Sequence, residues 1–178
     1  MMYVRVPKER VGALIGKDGE TKDAIESGTR CMLLIDSKTG DVTIAEGDDP
    51  EGVLKARDIV TAIACGFSPE RALILLRNNY FFHSMDIRDY AKRDPKHVAR
   101  LRGRVIGQEG KTRRIIEQLA EAEVSISGNS VAIIGDILSL DIAREAVEML
   151  LSGSEHATVY RYLERRRRDI KEAEIDMK

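Results

Sequence analysis

Residues 105–116 of the chain read VIGQEGKTRRII, and residues 14–25 read LIGKDGETKDAI. Shifting the sequence by 91 residues aligns Gly12–Glu26 with Gly103–Glu117, and seven of the fifteen aligned residue pairs are identical. Both segments place two glycines three residues apart, with apolar residues before and after them. The chain therefore contains the same glycine-rich motif twice, which indicates an internal repeat.

The repeat continues downstream of the two glycine-rich segments. VTIAEG at 42–47 aligns with VAIIG at 131–135 at a shift of 89 residues, and ARDIV at 56–60 aligns with AREAV at 143–147 at a shift of 87. The shift changes only where loops are expected. We therefore predict a duplicated domain of about 65–70 residues per copy, a size at which a domain folds alone but with modest stability.

Each copy is predicted to fold as strand, helix, glycine turn, helix, strand, strand and helix, from its apolar periodicity. The predicted fold class is α+β, with a three-stranded antiparallel sheet and helices on one face in each copy. In the first copy the pattern predicts strands at 3–7, 31–35 and 41–45, helices at Val11–Ile15 and 20–27 with an end at Gly28, and a long helix capped by Asp49-Pro50. In the second it predicts strands at 84–90, 123–127 and 131–135, a helix opened by Asp94-Pro95 and a final helix capped by Ser139.

Two further segments adjoin the second copy. The residues from Ser68 to Asn79 predict a short apolar helix, capped by Ser68, that packs between the copies. The residues after Gly153 predict a charged helix with few core residues. The predicted domains are the first copy at 1–66, a linker helix at 67–82, the second copy at 83–153 and the charged C-terminal helix at 154–178.

The composition disfavours several classes of protein. Of the 178 residues, 43% are hydrophobic, the formal net charge is −1 and aromatic residues make up 4%. A binder that works mainly by stacking bases on aromatic rings is therefore disfavoured. Cys31 and Cys65 are too few for a disulfide framework and lack metal-ligand spacing. Because the sequence has neither a long apolar run nor a signal-peptide pattern, we expect a cytoplasmic protein without membrane contact.

The glycine turn indicates contact with an anion. Glycine has no Cβ, so a ligand can approach its backbone closely. The second glycine of each pair opens a helix, where unpaired N–H groups and the helix dipole favour negative charge. A sugar–phosphate backbone fits both properties.

Two other interpretations of the turn fit less well. A nucleotide-binding P-loop needs a glycine where Val105 stands, and it follows a strand rather than a helix. A purely structural helix–helix turn would explain one such glycine pair. It is disfavoured here because the pair recurs with matching flanks.

The segments Ile15–Gly19 and Ile106–Gly110, set within a β-α-α-β-β-α order, resemble the GXXG turn of the KH domain, an RNA-binding module. With its last helix at the C-terminal end, the order resembles the eukaryotic-type (type I) KH fold, so two tandem type I KH domains are expected. One departure is the basic residue three positions after the second glycine, Lys22 or Arg113, where many KH domains carry an apolar residue.

The phrase GKTRRIIE, with two KH copies, a linker helix and the segment VYRYLERRRR, resembles the archaeal branch of the Krr/Pno/Dim family of pre-ribosomal RNA processing factors. The resemblance implies a non-enzymatic assembly factor acting near the 3′ end of small-subunit ribosomal RNA, with the second KH domain as the principal RNA clamp. It also implies association with the endonuclease that trims that end and with the alpha subunit of translation initiation factor two.

The charge distribution also favours the second copy as the RNA binder. Residues 87–117 hold ten basic and four acidic side chains, a net charge of +6, whereas residues 1–66 hold nine and twelve, a net charge of −3. Phosphate contacts supply much of the affinity for nucleic acids. The candidate RNA-binding residues are Gly107, Gln108, Glu109, Gly110, Lys111, Thr112, Arg113, Arg114, Arg102 and Arg104 in the second copy, and Gly16, Lys17, Asp18, Gly19 and Lys22 in the first.

Several positions keep two interpretations. Asp18 and Glu109 would repel phosphate unless they point away from it. The run Arg165–Arg168 fits either RNA contact or a solvated helix face. Candidates for the apolar floor of a base-binding groove, each of which also fits a core position, are Ile116, Val124 and Ile126, with Ile25, Met32 and Leu34 as counterparts.

The predicted function is non-catalytic binding of single-stranded RNA. No nucleophile–base pair, carboxylate dyad or metal-ligand cluster stands out, so no catalytic residue, metal or cofactor is expected. Two alternatives stay open: a protein-interaction scaffold with degenerate KH domains, and a general RNA-binding translation regulator.

Overall fold

The computed structural model describes residues 1–45, 47–92 and 94–177. Arg93, one of the ten basic residues counted above, and Glu46, in the aligned segment at 42–47, lie outside the described residues, as does Lys178. The chain divides into two compact units, Met1–Phe82 and His83–Lys178.

The first unit contains β1 (Met2–Arg5), α1 (Lys8–Ile15), α2 (Glu20–Thr29), β2 (Met32–Ile35), β3 (Asp41–Ala45), α3 (Pro50–Ala64), the helical turn α4 (Pro69–Ala72) and a 3-10 turn at Leu73–Leu76. Its sheet has the order β1-β3-β2, and both strand pairs are antiparallel. Leu33, Val42 and Ile44 alternate with more exposed residues and are buried, as a sheet covered by helices on one face requires.

The second unit contains most of β4 (Phe81–Asp86), the helical turn α5 (Arg88–Ala91), α6 (Pro95–Ile106), α7 (Lys111–Ala120), β5 (Glu123–Ser127), β6 (Ser130–Gly135), α8 (Ile137–Leu151) and α9 (His156–Asp176). Its sheet has the order β4-β6-β5. The charged helix α9 packs against α7 and α8 and buries Val159 and Leu163 in the core of this unit. The predicted α+β class and the two three-stranded sheets are thus confirmed.

Side-chain caps explain where two of the long helices and the helical turn α4 begin. Asp49, Asp94 and Ser68 each accept a hydrogen bond from a backbone N–H in the first turn of the following helix, as predicted. The predicted cap of α8 was wrong. Asp136 Oδ1 accepts the Ser139 N–H at 2.9 Å, so the helix begins three residues earlier, where an aspartate already satisfies that amide.

The first strand of the second copy ends before its predicted limit at residue 90. The Asp86 carboxylate accepts the Arg88 N–H at 2.9 Å, and residues 88–91 form the helical turn α5. An aspartate side chain that accepts from the amide two residues later starts a turn in place of extended chain.

Gly28 does not end α2, which continues to Thr29 and closes with Arg30 in the left-handed conformation. A Cβ on Gly28 would lie 2.6 Å from Leu76 Cδ2, so the glycine makes room for the linker. The linker is a helical turn followed by a 3-10 turn rather than the one helix predicted, and it packs against α2 and α3.

Candidate nucleic-acid interface

The two glycine turns have nearly the same backbone. Gly16 and Gly107 have φ values of 77° and 75°, each with ψ of 173°. Asp18 and Glu109 both adopt the left-handed conformation with φ of 54° and ψ of 28°, which is uncommon for residues other than glycine. The two copies therefore form one turn shape although the residues between their glycines differ.

The first glycine of each pair is required by packing. A Cβ on Gly107 would lie 2.3 Å from Thr112 Oγ1, and a Cβ on Gly16 would lie 2.4 Å from Thr21 Oγ1. Each glycine also has a positive φ that disfavours other residues. The first glycine thus closes the turn onto the threonine in the first turn of the second helix, so substituting it would disturb the fold as well as any ligand contact.

The second glycine of each pair is accessible. A Cβ on Gly19 would meet no atom nearer than Asp23 Oδ2 at 4.0 Å. A Cβ on Gly110 would have the guanidinium of Arg114 as its nearest neighbour, at 3.2 Å. Because α2 and α7 begin directly after these glycines, a phosphate can approach the positive end of each helix, where the Glu20 and Lys111 N–H groups themselves donate to the Lys17 and Gln108 carbonyl oxygens.

Two further glycines lie one helical turn before the turns. Gly12 in α1 and Gly103 in α6 are exposed, and a Cβ on either would meet no atom within 4 Å. Packing therefore does not require glycine here, although glycine weakens a helix. Both positions leave a flat stretch of backbone beside the turn.

The charge beside the second glycine is reversed between the copies. Lys111 and Arg114 are exposed next to Gly110, and Arg114 Nη1 donates to the Glu109 carbonyl oxygen at 2.7 Å, so its guanidinium lies over the turn. At the 91-residue shift, the aligned residues of the first copy are Glu20 and Asp23. The sequence interpretation did not single out these two acids, although the alignment contains them.

The basic residue that departs from the usual KH pattern forms an ion pair within its own helix. Lys22 pairs with Glu26 at 3.8 Å, and Arg113 pairs with Glu117, in both cases four residues later. Glu26 also accepts the Leu33 N–H at 2.9 Å, which ties α2 to β2. Lys22 and Arg113 are thus each held by an acid of their own helix, although Arg113 Nη2 still lies 3.9 Å from where a Cβ on Gly110 would stand.

Arg102 and Arg104 lie on α6, and each donates from Nε and Nη2 to acceptors within the protein. Arg102 donates to Gly128 O at 2.6 Å and to Asn129 Oδ1 at 3.4 Å, in the turn between β5 and β6. Arg104 Nε donates to the carbonyl oxygen of Leu150, near the end of α8, at 3.2 Å. Of the basic candidates of the second copy, Lys111 and Arg114 are the two exposed side chains beside the turn.

The residues between the glycines are all exposed: Lys17, Asp18, Gln108 and Glu109.

Of the candidates for an apolar groove floor, Ile25, Ile116 and Val124 are fully buried and belong to the core. Met32 and Leu34 alternate with buried Leu33 and are exposed on the outer face of the sheet. Ile126, half-buried on β5, is the candidate that the structure leaves partly accessible.

Residues 1–45, 47–92 and 94–177 contain neither a candidate metal site nor a candidate membrane-spanning helix. No group of three or more histidine, cysteine, aspartate or glutamate side chains there is placed to hold a metal ion. No helix in that part of the chain is long and apolar enough to cross a membrane.

Comparison with known families identifies both copies. A family model described as "Eukaryotic type KH-domain (KH-domain type I)" matches residues 81–168. A model described as "KH domain" matches residues 1–62. The tandem KH architecture is therefore confirmed.

Individual relatives narrow the family. The KH domain-containing protein MJ0443 of Methanocaldococcus jannaschii is 51% identical over 177 residues, covering 98% of this chain and 77% of that protein. The pre-rRNA-processing protein pno1 of Aspergillus fumigatus is 36% identical over 114 residues. The aligned segment covers 63% of this chain and 45% of that relative, less than half of its length. In the crystal structure of an a/eIF2alpha-aDim2p-rRNA complex from Pyrococcus horikoshii OT3, the matched chain is 47% identical with a TM-score of 0.86 over 94% of each chain. The chain belongs to the Krr/Pno/Dim family of KH-domain proteins, in the group that contains Pno1 and Dim2.

Proposed function

We propose that the protein binds single-stranded RNA without catalysing a reaction, and that its second KH domain is the principal clamp. The observation that carries this proposal is the pair of exposed cations, Lys111 and Arg114, beside the accessible backbone of Gly110. The first copy has the same turn but carries carboxylates at the aligned positions, Glu20 and Asp23. Because RNA affinity depends strongly on phosphate neutralisation, the two turns should differ in strength.

The binding mode follows from the geometry of the turn. A phosphate of the strand lies against Gly110 at the N-terminal end of α7, where the helix dipole favours negative charge. The bare backbone at Gly103 lets the strand run close to α6. Lys111 and Arg114 offset the repulsion from Glu109, and Ile126 offers apolar contact to a base.

The RNA we propose is the 3′ region of small-subunit ribosomal RNA. Support comes from the relatives, since one is named a pre-rRNA-processing protein and a matched chain was solved with rRNA and a/eIF2alpha. The proposed protein partners are the alpha subunit of initiation factor two and, from the family resemblance, the endonuclease that trims the rRNA 3′ end. The proposed site of action is the cytoplasm.

Fluorescence anisotropy with a short labelled RNA of the rRNA 3′ sequence tests the proposal. Affinity should fall as salt rises, with a slope of about −0.7 per neutralised phosphate in a plot of log K against log salt. Gly110→Asp should weaken binding by about tenfold or more, because it places a carboxylate at the phosphate position. Gly110→Asn is the matched neutral control, since asparagine tolerates the left-handed conformation.

Gly19→Asp is the matched variant in the first copy and should weaken binding far less. Gly107 is less suitable for this test because its substitution would disturb packing on Thr112. Equal and negligible losses at Gly19 and Gly110 would exclude the RNA clamp and favour a scaffold. Equal affinity for an unrelated RNA of the same length would favour a general translation regulator over a ribosomal RNA factor.

A second function is favoured by the outer face of the first sheet. Tyr3 and Leu34 are both paired with Thr43 in the strand register, so the three form a row across the sheet. Tyr3, Leu34 and the neighbouring Met32 are 75%, 55% and 59% exposed, which is unusual for a cluster of large apolar side chains. This face would dock a protein, and the alpha subunit of initiation factor two is the partner to test. Tyr3→Ser with Leu34→Ser should abolish co-elution with that subunit and leave RNA affinity unchanged.

A further inference from the structure

We propose that α9 braces the GXXG turn of the second KH domain, and that Tyr160 and His156 are positioning residues that hold this turn in its RNA-binding shape. The inference deepens the proposed function and rests on it. It concerns residues outside the turn, on the C-terminal helix that the sequence predicted to be charged and to have few core residues.

Tyr160 acts on the side chain against which the turn closes. Its hydroxyl lies 2.8 Å from Thr112 Oγ1. Thr112 is buried two residues after Gly110, and its Oγ1 is the atom that a Cβ on Gly107 would strike. The Tyr160 hydrogen bond therefore fixes the rotamer of the threonine that sets the position of Gly107.

His156 acts on the other side of the turn. Its Nε2 lies 3.0 Å from the carbonyl oxygen of Arg104, three residues before Gly107. Since a carbonyl can only accept, Nε2 carries the proton in this contact. His156 and Tyr160 are one helical turn apart on α9, with their rings edge to face and 6.1 Å between centroids. One face of α9 therefore holds both the end of α6 and the start of α7.

The brace is itself anchored to the rest of the unit. Val159 and Leu163 bury the same part of α9 in the core. Arg167 Nη1 donates to the Gln118 carbonyl oxygen at 2.9 Å, so α9 runs alongside α7 toward its far end. Arg104 Nη2 donates to the Ser154 carbonyl oxygen just before α9 begins. These contacts give the two positioning side chains a fixed support.

Among residues 1–45 and 47–82, the first KH domain shows no such brace. Thr21 packs under Gly16 as Thr112 packs under Gly107, but no hydrogen bond of the Thr21 hydroxyl occurs within the described part of the chain. The chain after α3 instead places Leu76 against Gly28, near the other end of α2. The two turns thus share their backbone shape and differ in what holds it.

Bracing matters for affinity because ordering a loop on binding costs free energy. A turn that is already held in the bound shape loses less conformational entropy when RNA docks. The brace adds no contact to phosphate. It should therefore strengthen RNA binding without changing the salt dependence of that binding.

The full-length Tyr160→Phe protein tests the brace. We expect RNA affinity to fall by up to about fivefold, the scale of one lost hydrogen bond, with an unchanged salt slope and a thermal midpoint lowered by only about 2–4 °C. Tyr162→Phe is the matched control, because it removes the same hydroxyl group from another tyrosine of α9. The Tyr162 ring packs against the core of the unit, and burial raises the pKa of its hydroxyl. It should leave RNA affinity unchanged. Lys111→Ala, by contrast, should make the salt slope shallower.

A double-mutant cycle with Thr112→Val identifies the contact. Tyr160→Phe and Thr112→Val should be less than additive in RNA affinity, because each removes the same hydrogen bond. Full additivity, or wild-type affinity in Tyr160→Phe, would overturn the brace while leaving the RNA function in place.

Amide hydrogen exchange separates the two proposals. Tyr160→Phe should speed exchange at Gly110 and Lys111 in the RNA-free protein, whereas Tyr162→Phe should not. Unchanged exchange would exclude the brace whatever the RNA result. Faster exchange in a protein that binds no RNA would retain the brace as a structural finding and reject the proposed function.

Discussion

Arg10 on α1 and Arg104 on α6 each donate hydrogen bonds to the end of the long helix of their own unit, α3 or α8, although the two arginines do not align in the repeat. Each guanidinium donates to two carbonyl oxygens that lie four residues apart, at or just after the C-terminal end of α3 or α8. Carbonyl groups at a helix C-terminus lack partners within the helix. The acceptors are Ile63 and Phe67 for Arg10 and Leu150 and Ser154 for Arg104. The acceptors align at a shift of 87 residues, whereas Arg104 aligns with Ala13, three positions after Arg10.

These arginines should matter for stability more than for RNA. Arg10→Ala and Arg104→Ala should each lower the free energy of unfolding by about 2 kcal/mol, because charged hydrogen bonds to partly buried carbonyls are lost. Urea denaturation followed by circular dichroism measures the change. Arg100→Ala is the control, since Arg100 is an exposed arginine on α6, and its effect should stay within about 0.5 kcal/mol. A shallower RNA salt slope in Arg104→Ala without loss of stability would instead assign Arg104 to phosphate.

Gly103→Ala should stabilise the fold and weaken RNA binding. Alanine is favoured over glycine in a helix by up to about 1 kcal/mol, and the added methyl meets no protein atom within 4 Å. The same methyl would occupy the surface that the strand approaches. Thermal unfolding and anisotropy measure the two effects. Gly12→Ala should give the same stabilisation with little change in RNA affinity, and equal RNA affinity in both variants would place the strand away from α6.

Reversing the charges of the first turn should convert it into a stronger RNA clamp. Glu20→Lys with Asp23→Arg copies the arrangement of Lys111 and Arg114. In a Gly110→Asp background, this change should restore affinity and steepen the salt slope by about 0.7 for each phosphate gained. Anisotropy at several salt concentrations gives the slope. An unchanged slope would show that charge at these positions does not distinguish the two copies.

Gly28→Ala should destabilise the protein although alanine favours the helix. The added Cβ would lie 2.6 Å from Leu76 Cδ2, so the Leu76 side chain must shift from its position against α2. Denaturation of Gly28→Ala, Leu76→Ala and the double variant measures the coupling. With Leu76 truncated, the alanine should become stabilising by up to about 1 kcal/mol. Independent effects of the two changes would mean that the linker does not pack on α2 in solution.

The sequence by itself determined the element order, the duplicated turns and most helix starts. These depend on local chemistry: an aspartate before a proline caps a helix, and glycines at fixed spacing make the same turn in both copies. The excess of basic residues near the second turn was likewise visible without a structure. Such signals act over a few residues, so a pattern in the chain is sufficient to predict them.

Only the tertiary structure decided what individual side chains of the same type do. Arg114 lies over the turn while Arg104 is held by α8, and Ile116 is core while Ile126 is partly accessible. The contact between Thr112 and Tyr160 joins residues 48 positions apart, and no local pattern marks it. The physical reason is that a donor, a methyl group or a ring acquires its role from the atoms packed against it, and distant segments supply those atoms.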